Sequence, residues 1–255
     1  MLFGVCTGPE NASIAKDAGA DFIEAHVQNF LKPADAMWQP PVAREALPVP
    51  IAAYNCFFPG DMRLTGPNVN LLAIKAYAAR ACRRAHDMHS AVIVLGSGGA
   101  RKIPDDWPRE QGEEQFIQVL QTIGSVAKAL GIAIVLEPLN KGETNLMNTV
   151  AEGMDLLRRS RAPGVKMLVD FYHLALENEP LEHLDDTKGL LAHVHIAEPR
   201  GRVAPAPGLT DIRPFFAKLK ALGYDHRISL ECRWEDMKKQ LAPTLAFLKQ
   251  EWAAA

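Results

Sequence analysis

Short runs of apolar, mostly β-branched residues recur along the chain, separated by longer stretches in which apolar positions repeat every three or four residues. That rhythm predicts a parallel sheet with crossover helices. Eight runs read as strands: Leu2–Cys6, Phe22–Ala25, Ile51–Tyr54, Ala91–Leu95, Ile132–Leu136, Val165–Val169, Ala192–Ile196 and Arg227–Leu230. Runs such as Ala-Val-Ile-Val-Leu (91–95) and Ile-Ala-Ile-Val-Leu (132–136) lack polar alternation and suit strands covered on both faces. Between them, Phe116, Ile117, Leu120, Ile123, Ala127 and Leu130 form one helical stripe, with Gly131 placed to end it. Leu241, Leu245, Leu248 and Trp252 predict an amphipathic terminal helix that closes an outer ring.

Eight strand–helix units in 255 residues have the size of a (β/α)8 TIM barrel, and no Ser/Gly/Pro-rich stretch marks a linker, so residues 1–255 read as one domain. A doubly wound sheet shares the alternation. Its phosphate turn, G-x-G-x-x-G, is missing here, where Thr7-Gly8-Pro9-Glu10 follows the first run.

Composition narrows the partner. With 28 Lys+Arg against 30 Asp+Glu the net charge is −2, which argues against a duplex-binding surface and favours a small-molecule substrate. The four cysteines, Cys6, Cys56, Cys82 and Cys232, form no C-x-x-C pair and read as reduced thiols. No basic leader and no run of 18 apolar residues is found, so a soluble, cytoplasmic protein without a membrane partner is expected.

Four candidate metal ligands fall at one level of the predicted barrel. Glu137 follows strand five, Asp170 follows strand six, His195 lies near the end of strand seven and Glu231 follows strand eight. Each is about one βα unit from the next, and in a barrel all four project at the C-terminal rim, where active sites assemble. Each has a plainer reading alone: a carboxylate after a strand is often a helix N-cap, and His193 or His195 can be a hydrogen-bonded barrel histidine. Together, three carboxylates at the mouth of an apolar barrel repel one another unless a divalent cation joins them. The hard, oxygen-rich set suits Mn²⁺ first, then Mg²⁺ or Co²⁺. Such a cation can hold a sugar's carbonyl and hydroxyl oxygens and stabilise the enediolate left by proton abstraction.

The stretches Leu-Glu-Pro-Leu-Asn-Lys-Gly-Glu-Thr-Asn (136–145), Val-Asp-Phe-Tyr-His (169–173), His-Val-His-Ile-Ala-Glu (193–198) and Ile-Ser-Leu-Glu-Cys-Arg-Trp (228–234) resemble xylose-isomerase-like barrels of the sugar phosphate isomerase/epimerase family. Within it they look most like the D-tagatose 3-epimerase and hydroxypyruvate isomerase group. The resemblance implies a metal held by Glu137, Asp170, His195 and Glu231, with Glu137 and Glu231 doubling as catalytic acid and base on opposite faces of the substrate. It implies substrate contacts from His173 and Glu143, whose plainer readings are a helix-face histidine and an exposed loop glutamate. The family's substrate-binding arginine falls at position 201, which is Gly here, flanked by Arg200 and Arg202. The Pro-Ala-Pro-Gly segment (205–208) favours Arg202. Homo-oligomerisation is expected by analogy alone.

Three weaker signals remain. The turn Gly96-Ser97-Gly98-Gly99-Ala100-Arg101 reads either as an anion cradle, using amides and the Arg101 guanidinium, or as a tight βα turn. Phe57 and Phe58 at the rim either wall a sugar or pack their loop. Arg80, Arg83 and Arg84 read as a solvated helix face. The leading function is thus a metal-dependent sugar isomerase or epimerase. A dehydratase shares the metal and base. An endonuclease IV-like phosphodiesterase would need more histidine ligands and a basic groove, and a non-catalytic binding barrel would not need the acid/base pair.

Overall fold

In the computed structural model, which describes residues 1–255, eight parallel strands close into a barrel in chain order. They are β1 Leu2–Cys6, β2 Phe22–His26, β3 Ile51–Asn55, β4 Val92–Leu95, β5 Ala133–Leu136, β6 Val165–Asp170, β7 Leu191–Ile196 and β8 Arg227–Leu230. β8 closes onto β1 in the register Leu2↔Arg227 to Val5↔Leu230. All eight agree with the hydrophobic runs to within one residue at either end.

Alternation along each strand sends one set of side chains inward and the other toward the helices. Ala53, Val92, Val94, Val135, Leu168 and Ala192 form a small cluster of their own, as short barrel-lining side chains should. The larger core lies between barrel and helices and holds residues such as Ile93, Ile134, Phe116 and Leu120. Inside the barrel Phe22 stands beside Gly4, its register partner, and a Cβ on Gly4 would lie 2.5 Å from the Phe22 ring. The glycine is required there by close approach. No helix is long and apolar enough to cross a membrane.

The outer ring contains α1 Ala12–Asp17, α2 Leu71–Asp87, α3 Gly98–Arg101, α4 Arg109–Ala129, α5 Val150–Ser160, α6 Phe171–Leu176, α7 Arg213–Ala221 and α8 Met237–Ala254. The expected stripe from Phe116 lies on α4, and Gly131 follows it with φ of 69°. Eight helices are present, but not one per strand: two follow β4 and none follows β2. The β2–β3 crossover holds only a π-helical turn, Val27–Leu31, and a 3-10 turn, Arg44–Ala46. Pro33, Pro40, Pro41, Pro48 and Pro50 explain the departure, since each removes an amide donor and blocks helix propagation. The expectation of an uninterrupted helix pattern fails at this crossover.

That irregular segment is clamped from α2. Arg84 is buried and donates to the carbonyls of Leu31, Lys32 and Asp35, with its guanidinium 5.1 Å from the Trp38 ring centroid. Arg80 donates to the Pro33 carbonyl. Of the three arginines read as a solvated face, only Arg83 is exposed. The helical spacing was correct, but carbonyls without a helix to bond them drew two of the three inward. Arg84→Met keeps the packing but leaves several carbonyls without donors. It is expected to cost about 2–3 kcal/mol, lowering the thermal midpoint by about 5–10 °C in a protein of this size. A melting curve within 1–2 °C of the native protein would show that water replaces the clamp.

Candidate active site

The C-terminal ends of β5 to β8 deliver four ionisable groups to one point. Glu137 and Glu231 are the first residues past β5 and β8, Asp170 ends β6, and His195 is the fifth residue of β7. A ligand atom from each lies within 4.8 Å of those of the other three. His195 Nδ1 is 2.9 Å from Glu137 Oε1 and 3.4 Å from Glu231 Oε2. Asp170 is also the N-cap of α6, its Oδ1 accepting from the Tyr172 amide at 2.9 Å. The plainer reading and the metal-ligand position are therefore compatible, one oxygen serving each. Its second oxygen, Oδ2, is buried without a hydrogen-bond partner.

The electrostatics describe a crowded acidic pocket. Burial, together with Glu137 and Glu231, pushes Asp170 up to about 8. Burial also raises Glu137, against the pull of His195. At Glu231 burial acts upward but is outweighed by His195 and Arg202, so its carboxyl lies below the usual range. Burial alone would depress His195, yet Glu24, Glu231 and Glu137 hold it well above an ordinary histidine. Three hard carboxylates, one imidazole nitrogen and an unpaired buried oxygen form a donor set that fits a divalent cation.

Glu24, on β2, was not among the residues singled out from the sequence. It is fully buried; its Oε1 accepts from His195 Nε2 at 2.8 Å, and its Oε2 accepts from His193 Nε2 at 2.7 Å and Ser229 Oγ at 2.6 Å. Those bonds fix the His195 ring so that Nδ1 faces the carboxylates, the orienting role that outer carboxylates play for ligand histidines. The histidines outweigh the burial penalty and keep Glu24 well below the ordinary carboxylate range. A signal existed: a charged residue within an apolar strand, at an inward position in register with Cys6.

The family described as xylose isomerase-like TIM barrel matches residues 12–251, most of the chain. The chain belongs to this family. Among its relatives, 3-dehydro-D-guloside 4-epimerase of Escherichia coli (strain K12) is 32% identical over 133 residues, which cover 51% of this chain and 50% of the relative. L-ribulose 3-epimerase of Mesorhizobium japonicum is 26% identical over 168 residues, 64% of this chain and 54% of the relative. The chain thus spans about half the length of these curated relatives. The apo crystal structure of 3-keto-D-glucoside 4-epimerase from E. coli superposes with a TM-score of 0.83 at 22% identity, covering 98% of this chain and 99% of that one, a likeness of fold.

The remaining candidates of this xylose isomerase-like barrel fall into two groups. His173, Glu143 and Arg202 surround the cluster. His173 is buried, its Nδ1 accepts from the Asn140 amide at 3.1 Å, and its unpartnered Nε2 lies 3.4 Å from Asp170 Oδ2. Burial, reinforced by Arg202, depresses it to about 3, so the ring is neutral. Arg202, in a left-handed conformation after Gly201, is held by pairing of its segment with Arg233. It reaches Glu231 directly, Glu143 at 3.3 Å and Asp170 at 3.8 Å, and lies 4.7 Å from the Tyr172 ring centroid. Arg200 is exposed.

Arg101 does not cradle an anion at the rim. It is fully buried, and its guanidinium donates to the carbonyls of Leu95, Glu137, Leu146 and Met147. The tight-turn reading of Gly96–Gly99 holds instead, and Gly96 makes room for the site, since a Cβ there would lie 2.3 Å from Glu137 Oε2. The aromatics divide the two readings offered for them: both are buried and stacked at 4.1 Å, but only Phe58 borders the cavity at the cluster. That cavity, of about 300 Å³, is also lined by Glu137, Glu143, Arg202 and Glu231.

Proposed function

We propose that this protein is a metal-dependent sugar epimerase or isomerase that moves a proton at the carbon next to a substrate carbonyl. The observation that carries this reading is the meeting of Glu137, Asp170, His195 and Glu231 at a cavity mouth, with two glutamates flanking one imidazole nitrogen. The sugar epimerases among its relatives support the same reaction class.

Glu137, Asp170, His195 and Glu231 would hold the cation, Mn²⁺ by preference. Bound there, it supplies Lewis-acid polarisation of a carbonyl oxygen and charge to offset the enediolate. The protein's own groups do the rest. One of Glu137 and Glu231 takes the proton from the carbon beside the carbonyl, and the other returns one from the opposite side, inverting that centre. Arg202 and the neutral His173 offer donors for substrate oxygens, and Glu143 offers an acceptor. Tyr172 beneath Arg202 and Glu143 beside it keep the guanidinium over the site.

The test is product analysis. The Mn²⁺-loaded protein is incubated with ketohexoses, ketopentoses, 3-keto sugars, hydroxypyruvate and an inosose, and products are resolved by NMR. An epimer of a keto sugar is expected. A dehydrated product would place the chain among the dehydratases, and an unchanged panel with the metal bound would sink the reading.

A further inference from the structure

We propose that Glu198 is a positioning residue: it clasps the loop between β7 and α7 at two points, and through that clasp holds Arg202 over the four converging side chains. This rests on the reaction proposed above.

Glu198 ends the His-Val-His-Ile-Ala-Glu stretch, just past β7, and does not line the cavity at the carboxylates. It is buried, and both of its oxygens serve one residue. Its Oε1 accepts from the Thr210 hydroxyl, and its Oε2 accepts from the Thr210 amide at 3.3 Å. Its own amide donates to the Val203 carbonyl at 2.9 Å. One side chain and one amide thus tie the near and the far part of the same loop.

The loop needs such ties. Residues 199–210 contain no helix or strand and are mostly exposed. Gly201 and Arg202 take consecutive left-handed conformations, with φ of 81° and 54°. Arginine disfavours that region, so the turn is kept by what surrounds it. Behind Arg202, its carbonyl accepts from the Arg233 amide at 2.7 Å. In front, its guanidinium meets Glu231, Asp170 and Glu143. Glu231 and Asp170 are proposed cation ligands, so once they are engaged the guanidinium depends on its own backbone. The bonds that Glu198 accepts from Thr210 are charge-assisted, stronger than the neutral carbonyl bonds that make the loop's other backbone ties.

Two measurements test the clasp. The first is amide hydrogen exchange of the protein without added metal, read by NMR. In Glu198→Ala the Arg233 amide is expected to exchange about tenfold faster or more, while amides within β1–β8 keep their rates. Arg233 bonds Arg202 and not Glu198, so its amide reports whether the loosened clasp reaches the arginine. The second is a double-mutant cycle in kcat/KM, with Mn²⁺ and the most active keto sugar of the panel above. Glu198→Ala is expected to lower kcat/KM by about tenfold, chiefly through KM, but by less than about twofold in Arg202→Ala. Thr210→Val removes only the hydroxyl and is expected to move both readouts in the same direction; Thr210→Ser is expected to move neither. An Arg233 amide unchanged in both Glu198→Ala and Thr210→Val, or equal losses from Glu198→Ala with and without Arg202, overturns the clasp and leaves the reaction standing. No turnover of any keto sugar by the native protein with Mn²⁺ bound overturns the reaction, and with it the part of Glu198 in it.

Discussion

Glu231→Gln and Glu137→Gln are each expected to lower turnover by about 10³-fold or more at saturating Mn²⁺, because glutamine keeps the shape but cannot carry a proton. The two variants share one readout and differ in their side effects. Glu231 is one-fifth exposed and held by Arg202, so its replacement should leave the melting temperature nearly unchanged. Glu137 is buried against His195 Nδ1 and Gly96, so its replacement should lower the melting temperature more, and since both glutamates would hold the cation, either replacement should also weaken metal binding. Circular dichroism and a Mn²⁺ titration separate these effects from the chemical one. Epimerisation within tenfold of native in both variants would remove the two glutamates from the proton path.

Glu24→Gln is the second large expectation. Glu24 accepts three hydrogen bonds, from His193, His195 and Ser229. Glutamine has one acceptor oxygen and an amide that faces donors, so at least one buried N–H or O–H loses its partner. The His195 ring then loses the bond that aims Nδ1 at the carboxylates, and Mn²⁺ affinity should fall by about 10–100-fold. Electron paramagnetic resonance of the Mn²⁺ titration reads this without any turnover, and the bound-ion spectrum should also change. Glu24→Asp, which retains the charge, is expected to recover part of the affinity. An unchanged affinity in Glu24→Gln would make the residue a packing element of the barrel and nothing more.

The barrel was legible because its strands are apolar on both faces and its candidate ligands recur once per βα unit, so hydrophobic runs and site spacing point to the same topology. What escaped was anything set by tertiary demand. Arg84 sits at a position that looks solvated on a helical wheel, and only the proline-rich crossover beside it, which carries no α-helix, explains why it is buried. Arg101 looked free to meet an anion, yet the carbonyls at the ends of β4 and β5 and in the loop beyond β5 claim its guanidinium. Glu24 lies on the strand that pairs with Cys6, in the first half of the barrel, while every candidate ligand lies in the second half. Its partners are separated from it by 169 to 205 positions, a distance no local pattern spans. His173 and Arg202 were reached only through resemblance, and their meeting over Asp170 depends on the pairing of Val203 with Arg233.

The proposed reaction removes and returns a carbon-bound proton beside a carbonyl. The most direct measurement is deuterium incorporation at that carbon when the Mn²⁺-loaded protein is incubated with a keto sugar in D₂O and followed by NMR. Deuterium is expected at that position in both the recovered substrate and its epimer, and is expected to be lost on chelation of the metal. An epimer formed with its original hydrogen, or no incorporation with the metal bound, would contradict that reaction.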